Sequence, residues 1–409
     1  MVPSTDRQGS RGVPSDYGVG RLASRRLLRR SPHGIVTSVR KGEASMSTTL
    51  EQFMKGLTDA APRRGSFHQD ISFEEWRAKL ADGLTARLGG FPESPAELQP
   101  VRLEQVSCPG YIRERIEITT CEGTRMAVYI LRPERPLASP APAVIAVHGH
   151  GYGSRDIVGL IADGTERTGP PGLHKDFAVS LVKQGFIVAA PELLGFGDRR
   201  LAEDIASGDP AKNSCYRLST ALLLAGQTMA GFRIYENMRM LDYLRTLEEV
   251  APDRIGIMGI SGGGLVAGFT AALDERIACA VVSGYAGTFA SSILTRHHCL
   301  DNYIPGILLE AEMPDLLGLI APRGLFLESG DTDHLFGPEG ARQALDRLKL
   351  IYDAAGCSEQ VEADFFAGGH EIHGDPAFAW LREQLADERR PVSAANQKEG
   401  STELLRDEL

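Results

Sequence analysis

Short apolar runs alternate with amphipathic segments along most of the chain. Runs such as residues 143–147 and 277–283 are continuously apolar and rich in β-branched residues, which predicts strands buried on both faces of a parallel sheet. Segments such as 338–354 instead place apolar residues every three or four positions, which predicts helices. The alternation favours the α/β class, with an open, mostly parallel central sheet and helices on both faces.

The predicted elements follow one another without an internal repeat. The first three strands are joined by tight turns and predict an antiparallel lead-in to the parallel sheet. We expect strands at 101–106, 111–118, 125–131, 143–147, 186–190, 255–258, 277–283, 324–328 and 361–366. We expect helices at 73–88, 174–184, 234–247, 262–273, 338–354 and 377–385.

The same pattern divides the chain into regions. In the helix near the N-terminus, Trp76, Leu80 and Leu84 recur every four positions, so this helix should pack against the main domain as an extension. Two later connections exceed ordinary loop length, which is typical of lids over a functional site. The regions are a leading segment at 1–48, an N-terminal helical extension at 49–100, the main α/β domain at 101–389 with insertions at 192–233 and 285–322, and a frayed tail at 390–409.

The leading segment differs from the rest in charge. Residues 1–45 hold nine Lys or Arg against three Asp or Glu, among Ser, Gly and Pro, and show little hydrophobic periodicity. The segment could be a tail that does not pack or an Arg- and Ser-rich transit peptide, but it lacks the apolar core of a secretory signal. A third interpretation, which we favour, is that Met46 is the natural start.

Composition narrows the classes of function. The 409 residues are 42% hydrophobic with a net charge of −10, and no run approaches the roughly 18 apolar residues of a membrane span. We therefore expect neither a nucleic-acid partner nor a membrane partner. Six scattered cysteines without zinc-site spacing predict free thiols in a reducing, cytoplasmic compartment and no bound metal.

One motif points directly to chemistry. Gly259-Ile260-Ser261-Gly262-Gly263 follows a predicted buried strand and precedes a helix of small residues, which is the pattern of a nucleophile elbow. The glycines allow the sharp turn that exposes a serine to an acyl carbon. The sequence thus predicts Ser261 as a nucleophile and the N–H of Gly262 as an oxyanion donor.

A serine nucleophile needs a base and an orienting carboxylate, and the elbow predicts the chain order Ser, Asp, His. Asp331 and Asp333 both follow the strand at 324–328, and His370 follows the strand at 361–366. Because the carboxyl ends of parallel strands meet at one edge, these side chains should meet near Ser261. We prefer Asp333 to Asp331, which could be a turn residue, and His370 to His373.

The second oxyanion donor should come from the loop after an early strand. His148-Gly149-His150-Gly151 occupies that position, and we assign the donor to the backbone of His150 or Gly151. His148 could instead serve only to hydrogen-bond under the loop. No P-loop, dinucleotide fingerprint or H-E-x-x-H motif is present, so we expect no cofactor.

These motifs resemble the α/β-hydrolase fold, specifically its dienelactone-hydrolase-like and acetyl-xylan-esterase-like branch. The resemblance spans about 143–385 and implies ester hydrolysis without a cofactor, with Ser261 as nucleophile, Asp333 as orienting acid and His370 as base. A serine replaces the cysteine of dienelactone hydrolases, and Gly262 replaces the glutamine usual in acetyl xylan esterases. Lactone specificity therefore does not follow, and sugar-ester specificity is weakened.

We therefore expect a serine hydrolase that cleaves a carboxylic ester, or a related acyl bond, of a small-molecule substrate through an acyl-enzyme. A homo-oligomer is left open. One alternative is a ligand-binding protein on the same scaffold that hydrolyses slowly or not at all. Another keeps the triad but acts as an acyltransferase, or on an amide or carbon–carbon bond.

Overall fold

The computed structural model of the protein describes residues 49–386. The expected leading segment up to residue 48 and the expected tail at 390–409 lie outside these residues. By its internal contacts the chain divides into two units, Met1–Phe53 and Met54–Leu409. The described part of the first unit is only the start of one helix, and the sheet with its covering helices belongs to the second unit. Among the described residues, no helix combines the length and apolar character needed to cross a bilayer.

Nine strands form one sheet in the order β1-β2-β3-β5-β4-β6-β7-β8-β9. The pairs β1–β2, β2–β3 and β3–β5 are antiparallel. From β5 onward, the pairs along the sheet are all parallel. The prediction of a mostly parallel sheet with an antiparallel lead-in is confirmed. The strands are β1 (Val101–Cys108), β2 (Tyr111–Cys121), β3 (Thr124–Pro133), β4 (Ala141–Val147), β5 (Ile187–Pro191), β6 (Val250–Ile260), β7 (Cys279–Ser283), β8 (Gly324–Gly330) and β9 (Val361–Phe366).

Helices connect and cover the strands. They are α1 (Leu50–Asp59), α2 (Phe73–Leu88), α3 (Phe177–Lys183), α4 (Ala202–Ala206), α5 (Cys215–Leu224), α6 (Met229–Leu244), α7 (Gly262–Leu273), α8 (Ile307–Glu310), α9 (Met313–Gly318), α10 (Pro338–Ala354) and α11 (Asp375–Gln384). The predicted bounds of α2, α7 and α10 are correct. The expected insertions contain α4, α5, α8 and α9, which the sequence pattern did not predict.

Several predicted boundaries differ from the structure, and two of the differences have clear physical reasons. Helix α6 begins five residues before the expected 234, because the Thr228 hydroxyl caps it by accepting the N–H of Gly231 at 2.9 Å. Strand β6 begins at Val250, where we expected a turn, because Val250 pairs with Ala141 of β4. Tertiary pairing thus overrides the Pro-Asp turn signal at 252–253.

The central strands are buried on both faces, as the apolar runs predict. All seven residues of β4 are buried. Its Ala143 and Ile145 join the core on one face, while Val144 and Ala146 join the core on the other. This double burial fixes the carboxyl ends of the parallel strands, where the candidate residues lie.

Helix α2 packs on one of these cores through the face that the four-residue spacing predicted. Trp76, Leu80 and Leu84 are buried, and the Trp76 indole donates to the carbonyl of Gly65 at 2.8 Å. Ser72 caps the start of the helix, and Gly89, with φ of 104°, ends it.

Candidate active site

Ser261 stands on a sharp turn between β6 and α7. Its backbone has φ of 56° and ψ of −126°, which non-glycine residues rarely adopt. A Cβ at Gly259 would lie 2.2 Å from the Gly263 carbonyl oxygen, and one at Gly263 would lie 2.3 Å from that of Val147. Both flanking positions therefore require glycine, and the local geometry is that of a nucleophile elbow.

Asp333 and His370 form a hydrogen-bonded pair after β8 and β9. The His370 Nδ1–H donates to Asp333 Oδ2 at 2.7 Å, and Asp333 Oδ1 accepts the N–H groups of Leu335 and Phe336 at 2.7 and 3.0 Å. Burial opposes ionisation of Asp333, but the contacts with His370 and the two amides outweigh it and lower the pKa of this carboxyl. The structure thus holds a carboxylate against the Nδ1 side of the ring and leaves the Nε2 side for other contacts.

The two alternative residues have other contacts. Asp331 Oδ1 accepts the N–H of Gly368 at 3.1 Å and so fastens the loop that carries His370. His373 Nδ1 lies 2.5 Å from Asp364 Oδ2 on the partly exposed side of β9. Neither belongs to the Asp333–His370 pair.

The second nitrogen of His370 is available. Nε2 is buried and has no hydrogen-bond partner among residues 49–386. Gly284 backs the ring, since a Cβ there would lie 3.0 Å from His370 Cε1, and the carbonyl of its neighbour Ser283 accepts the Ser261 N–H at 2.9 Å. The end of β7 therefore contacts both the ring and the serine residue. A Ser–His hydrogen bond is not formed in this conformation, and such bonds often tighten only when substrate binds.

Unpaired backbone N–H groups lie beside the elbow. Gly262 opens α7 and has no intrahelical acceptor. In the loop after β4, the N–H of Gly149 donates to His174 Nε2 at 2.9 Å, whereas those of His150 and Gly151 have no acceptor in the described part of the chain. The three N–H groups that the sequence assigned to an oxyanion hole are thus without an acceptor among the described residues.

Buried histidines hold this loop, which we call the oxyanion loop (residues 148–153). His148 Nδ1–H donates to the Gly149 carbonyl at 2.8 Å, and its Nε2 accepts the Leu193 N–H at 3.1 Å, so both ring nitrogens are engaged. Burial lowers the pKa of His174, in keeping with its acceptor role toward Gly149. His148 therefore supports the loop, as its alternative interpretation proposed.

A group of polar side chains on the other flank of the elbow was missed by the sequence analysis. Arg233 of α6 donates to Asp301 Oδ2 at 2.5 Å and to the Leu194 carbonyl at 2.6 Å, and both charged residues are buried. The His150 ring lies over the elbow, since a Cβ at Gly262 would be 3.3 Å from its Nδ1. The pattern offered no signal for this group, because its members lie far apart along the chain and periodicity does not show which residues meet in the fold.

Glu328, on β8 between the serine and histidine strands, is a further buried carboxyl. Its Oε1 accepts the Gly374 N–H at 2.8 Å, and its Oε2 has no partner within the described residues. Burial raises the pKa of Glu328 to about 7. Through Gly374, this side chain supports the loop after His370.

Comparison with known proteins identifies the family. The model of the Abhydrolase family matches residues 28–367. The chain belongs to this family. A Bacillus subtilis (strain 168) protein named "Putative hydrolase YtaP" is 28% identical over 300 residues, which are 72% of this chain and 94% of that protein. The resemblance to α/β-hydrolases is therefore confirmed.

Solved structures share the Abhydrolase fold. A Bacteroides fragilis NCTC 9343 protein, titled "putative acetyl xylan esterase", has 22% identity and a TM-score of 0.67, covering 83% of this chain and 86% of that one. A glucuronoyl esterase from Solibacter usitatus has 16% identity and a TM-score of 0.57, covering 79% of this chain and 97% of that one. At these identities the likeness concerns the fold.

Proposed function

We propose that this Abhydrolase-family protein is a serine hydrolase that cleaves carboxylic esters of small molecules. The observation that carries the proposal is the elbow serine, in its strained backbone conformation, at the same sheet edge as the His370 ring. The Nδ1 of this ring is paired with Asp333, and its Nε2 has no partner within residues 49–386. The esterase names of its structural neighbours support the same reaction class.

In the proposed mechanism, Ser261 Oγ attacks the ester carbonyl while His370 Nε2 takes its proton. Asp333 holds the ring in the tautomer that leaves Nε2 unprotonated and stabilises the imidazolium once it forms. The N–H of Gly262 and that of His150 or Gly151 donate to the oxyanion. His370 then protonates the leaving alcohol, and water, deprotonated by the same nitrogen, hydrolyses the acyl-enzyme.

The test compares variants on a p-nitrophenyl ester. Ser261→Ala should lower kcat/KM by at least about 10³-fold and abolish burst acylation, since the covalent step is lost. Asp333→Asn should cost about 10²- to 10⁴-fold, because it upsets the tautomer of His370. The matched controls are Ser358→Ala, at an exposed serine just before β9, and Asp331→Asn, and each should retain activity within about tenfold.

The same variants separate the alternatives. A fluorophosphonate probe that fails to label Ser261 in folded protein would favour a ligand-binding protein, and a Ser261→Ala chain with wild-type turnover would contradict the mechanism. Product analysis with added alcohols or amines tests acyl transfer. A panel of esters that includes acetylated sugars and a uronate ester tests whether this chain shares the substrate classes in its neighbours' names.

The compartment that we propose is the cytoplasm. Cys108, Cys121, Cys215, Cys299 and Cys357 form no disulfide among the described residues, as expected of a reducing compartment. Fractionation of cells that produce the untagged chain, with detection by antibody, tests this proposal.

A further inference from the structure

Four metal-ligating side chains converge beside the nucleophile elbow. His150, Cys215, Cys299 and Asp301 each offer one ligand atom, and these four atoms all lie within 4.8 Å of one another. His150 belongs to the oxyanion loop, Cys215 opens α5 in the first insertion, and the other two lie in the second insertion. Separations of 65 and 84 residues along the chain explain why cysteine spacing did not predict this cluster.

The measured separations suit a tetrahedral ion. His150 Nε2 lies 3.5 Å from Asp301 Oδ2, and Cys215 Sγ lies 4.0 Å from the same oxygen. Around tetrahedral Zn²⁺ with ordinary bond lengths, these nitrogen–oxygen and sulfur–oxygen separations would be about 3.4 and about 3.6 Å. Movements of a few tenths of an ångström would therefore bring these three ligand atoms onto one ion.

The nitrogen of His150 that would bind the ion has no other partner among the described residues, and it faces one oxygen of Asp301. His150 Nε2 is buried and makes no hydrogen bond with any residue from 49 to 386. Asp301 Oδ1 accepts the side-chain amide of Asn302 at 2.7 Å, so Oδ2 is the oxygen that faces His150. A buried ring nitrogen without a partner costs free energy that a metal bond would recover.

The guanidinium of Arg233 is compatible with a bound ion, because it would donate to the ligand atoms from outside the coordination shell. Two thiolates, one carboxylate and a neutral imidazole around Zn²⁺ leave a formal charge of −1. The guanidinium supplies the balancing charge, since it donates to Asp301 Oδ2 at 2.5 Å and to Cys215 Sγ at 3.1 Å. Hydrogen bonds of this kind to metal ligands are typical of structural metal sites.

We propose that His150, Cys215, Cys299 and Asp301 bind one Zn²⁺ ion as a closed, four-coordinate site. The donor set of two sulfurs, one imidazole nitrogen and one carboxylate oxygen matches zinc and excludes Mg²⁺ and Ca²⁺, which prefer oxygen ligands. The ion would join the oxyanion loop to both insertions. It takes no part in the proposed ester hydrolysis, and the two proposals stand independently.

The test measures metal binding to the full chain, kept reduced and stripped with a chelator. Titration with Co²⁺ should give about one ion per chain, a near-ultraviolet thiolate-to-cobalt charge-transfer band and the visible bands of tetrahedral Co²⁺, and Zn²⁺ should displace it. Cys299→Ser should lose about half of the charge-transfer intensity and weaken Zn²⁺ binding by more than about tenfold. Cys121→Ser, a half-buried cysteine away from the cluster, should bind as the wild type does.

The wild-type titration decides by itself, even if a cysteine variant does not fold. A wild-type chain that binds no Co²⁺, or binds it without the charge-transfer band, would overturn the proposal. So would a folded Cys299→Ser chain with an unchanged band. Ser261→Ala should bind Zn²⁺ as tightly as the wild type, which separates failure of this site from failure of the esterase proposal.

Discussion

The backbone around Asp333 leaves only one of its carboxylate oxygens for a side-chain partner. Its Oδ1 is occupied by two backbone amides, so only Oδ2 is left for the His370 ring. Asp331, two residues earlier, fastens Gly368 instead. The sequence could restrict the acid to these two residues but could not choose firmly, because the choice depends on how the loop after β8 turns.

From the raised pKa of Glu328 we predict that the free energy of unfolding of the protein depends on pH. Its pKa is raised by burial from the ordinary 4.5 to about 7, so the folded protein holds this proton more tightly than the unfolded chain does. Folding is therefore penalised increasingly as the pH rises from about 4.5 to about 7. We expect Glu328→Gln, which keeps the acceptor for Gly374, to increase the free energy of unfolding by about 2–3 kcal/mol more at pH 8 than at pH 5.

Denaturant unfolding of both chains at the two pH values measures this difference. Glu362→Gln, at an exposed position on the neighbouring strand, is the control and should change the free energy of unfolding by less than about 0.5 kcal/mol at either pH. An equal gain for Glu328→Gln at both pH values would contradict the prediction.

At the scale of elements, the strands and long helices could be predicted from the sequence, whereas the short helices inside the two insertions could not. Strand β4 is a continuous apolar run, and helix α10 carries a regular apolar stripe, so their patterns suffice. Helices α4 and α8 have only five and four residues, too few for a period to emerge. Their conformation depends on tertiary contacts, as does the meeting of Cys215 with Asp301 across the two insertions.

At the junction of β6 and α7, we predict that position 263 tolerates no side chain. A Cβ at Gly263 would lie 2.3 Å from the Val147 carbonyl oxygen and 2.5 Å from that of His148, at the end of the fully buried strand β4. Since that backbone cannot withdraw, Gly263→Ala should lower the free energy of unfolding by about 1–3 kcal/mol and disturb the elbow. Thermal unfolding measures the loss, and Gly172→Ala is the control, because no described residue other than its two chain neighbours lies within 4 Å of the added carbon. Equal midpoints for the two variants would refute the account.

At the scale of the whole molecule, a few ion pairs are buried on both sides although the chain carries a net charge of −10. The Arg233–Asp301 pair lies beside the candidate active site and connects α6 to the second insertion. Hydropathy and net charge gave no indication of it, because each residue taken alone is typical of a protein surface. Only folding reveals that the two charges share one desolvated position.

We predict that Arg233 and Asp301 are coupled in their contributions to the free energy of unfolding. In chelator, Arg233→Met should lower the free energy of unfolding by about 3–5 kcal/mol, because it leaves Asp301 buried without its partner. Arg233→Met/Asp301→Asn should be less destabilised than the sum of the single variants, which a double-mutant cycle in urea measures. Arg276→Met, from a partly exposed ion pair, should cost only about 1 kcal/mol. Additive losses at Arg233 and Asp301 would contradict the coupling.

The oxyanion loop is fastened by side chains that reach across to the first insertion. Glu192 accepts both the N–H and the hydroxyl of Ser154 just beyond the loop, and His148 accepts the N–H of Leu193. These hydrogen bonds therefore couple the first insertion, which would shape the acyl pocket, to the oxyanion loop, which would carry the oxyanion donors. Sequence changes that enlarge the pocket from this side would alter turnover as well as affinity, so new substrates and high rates could not be selected independently here.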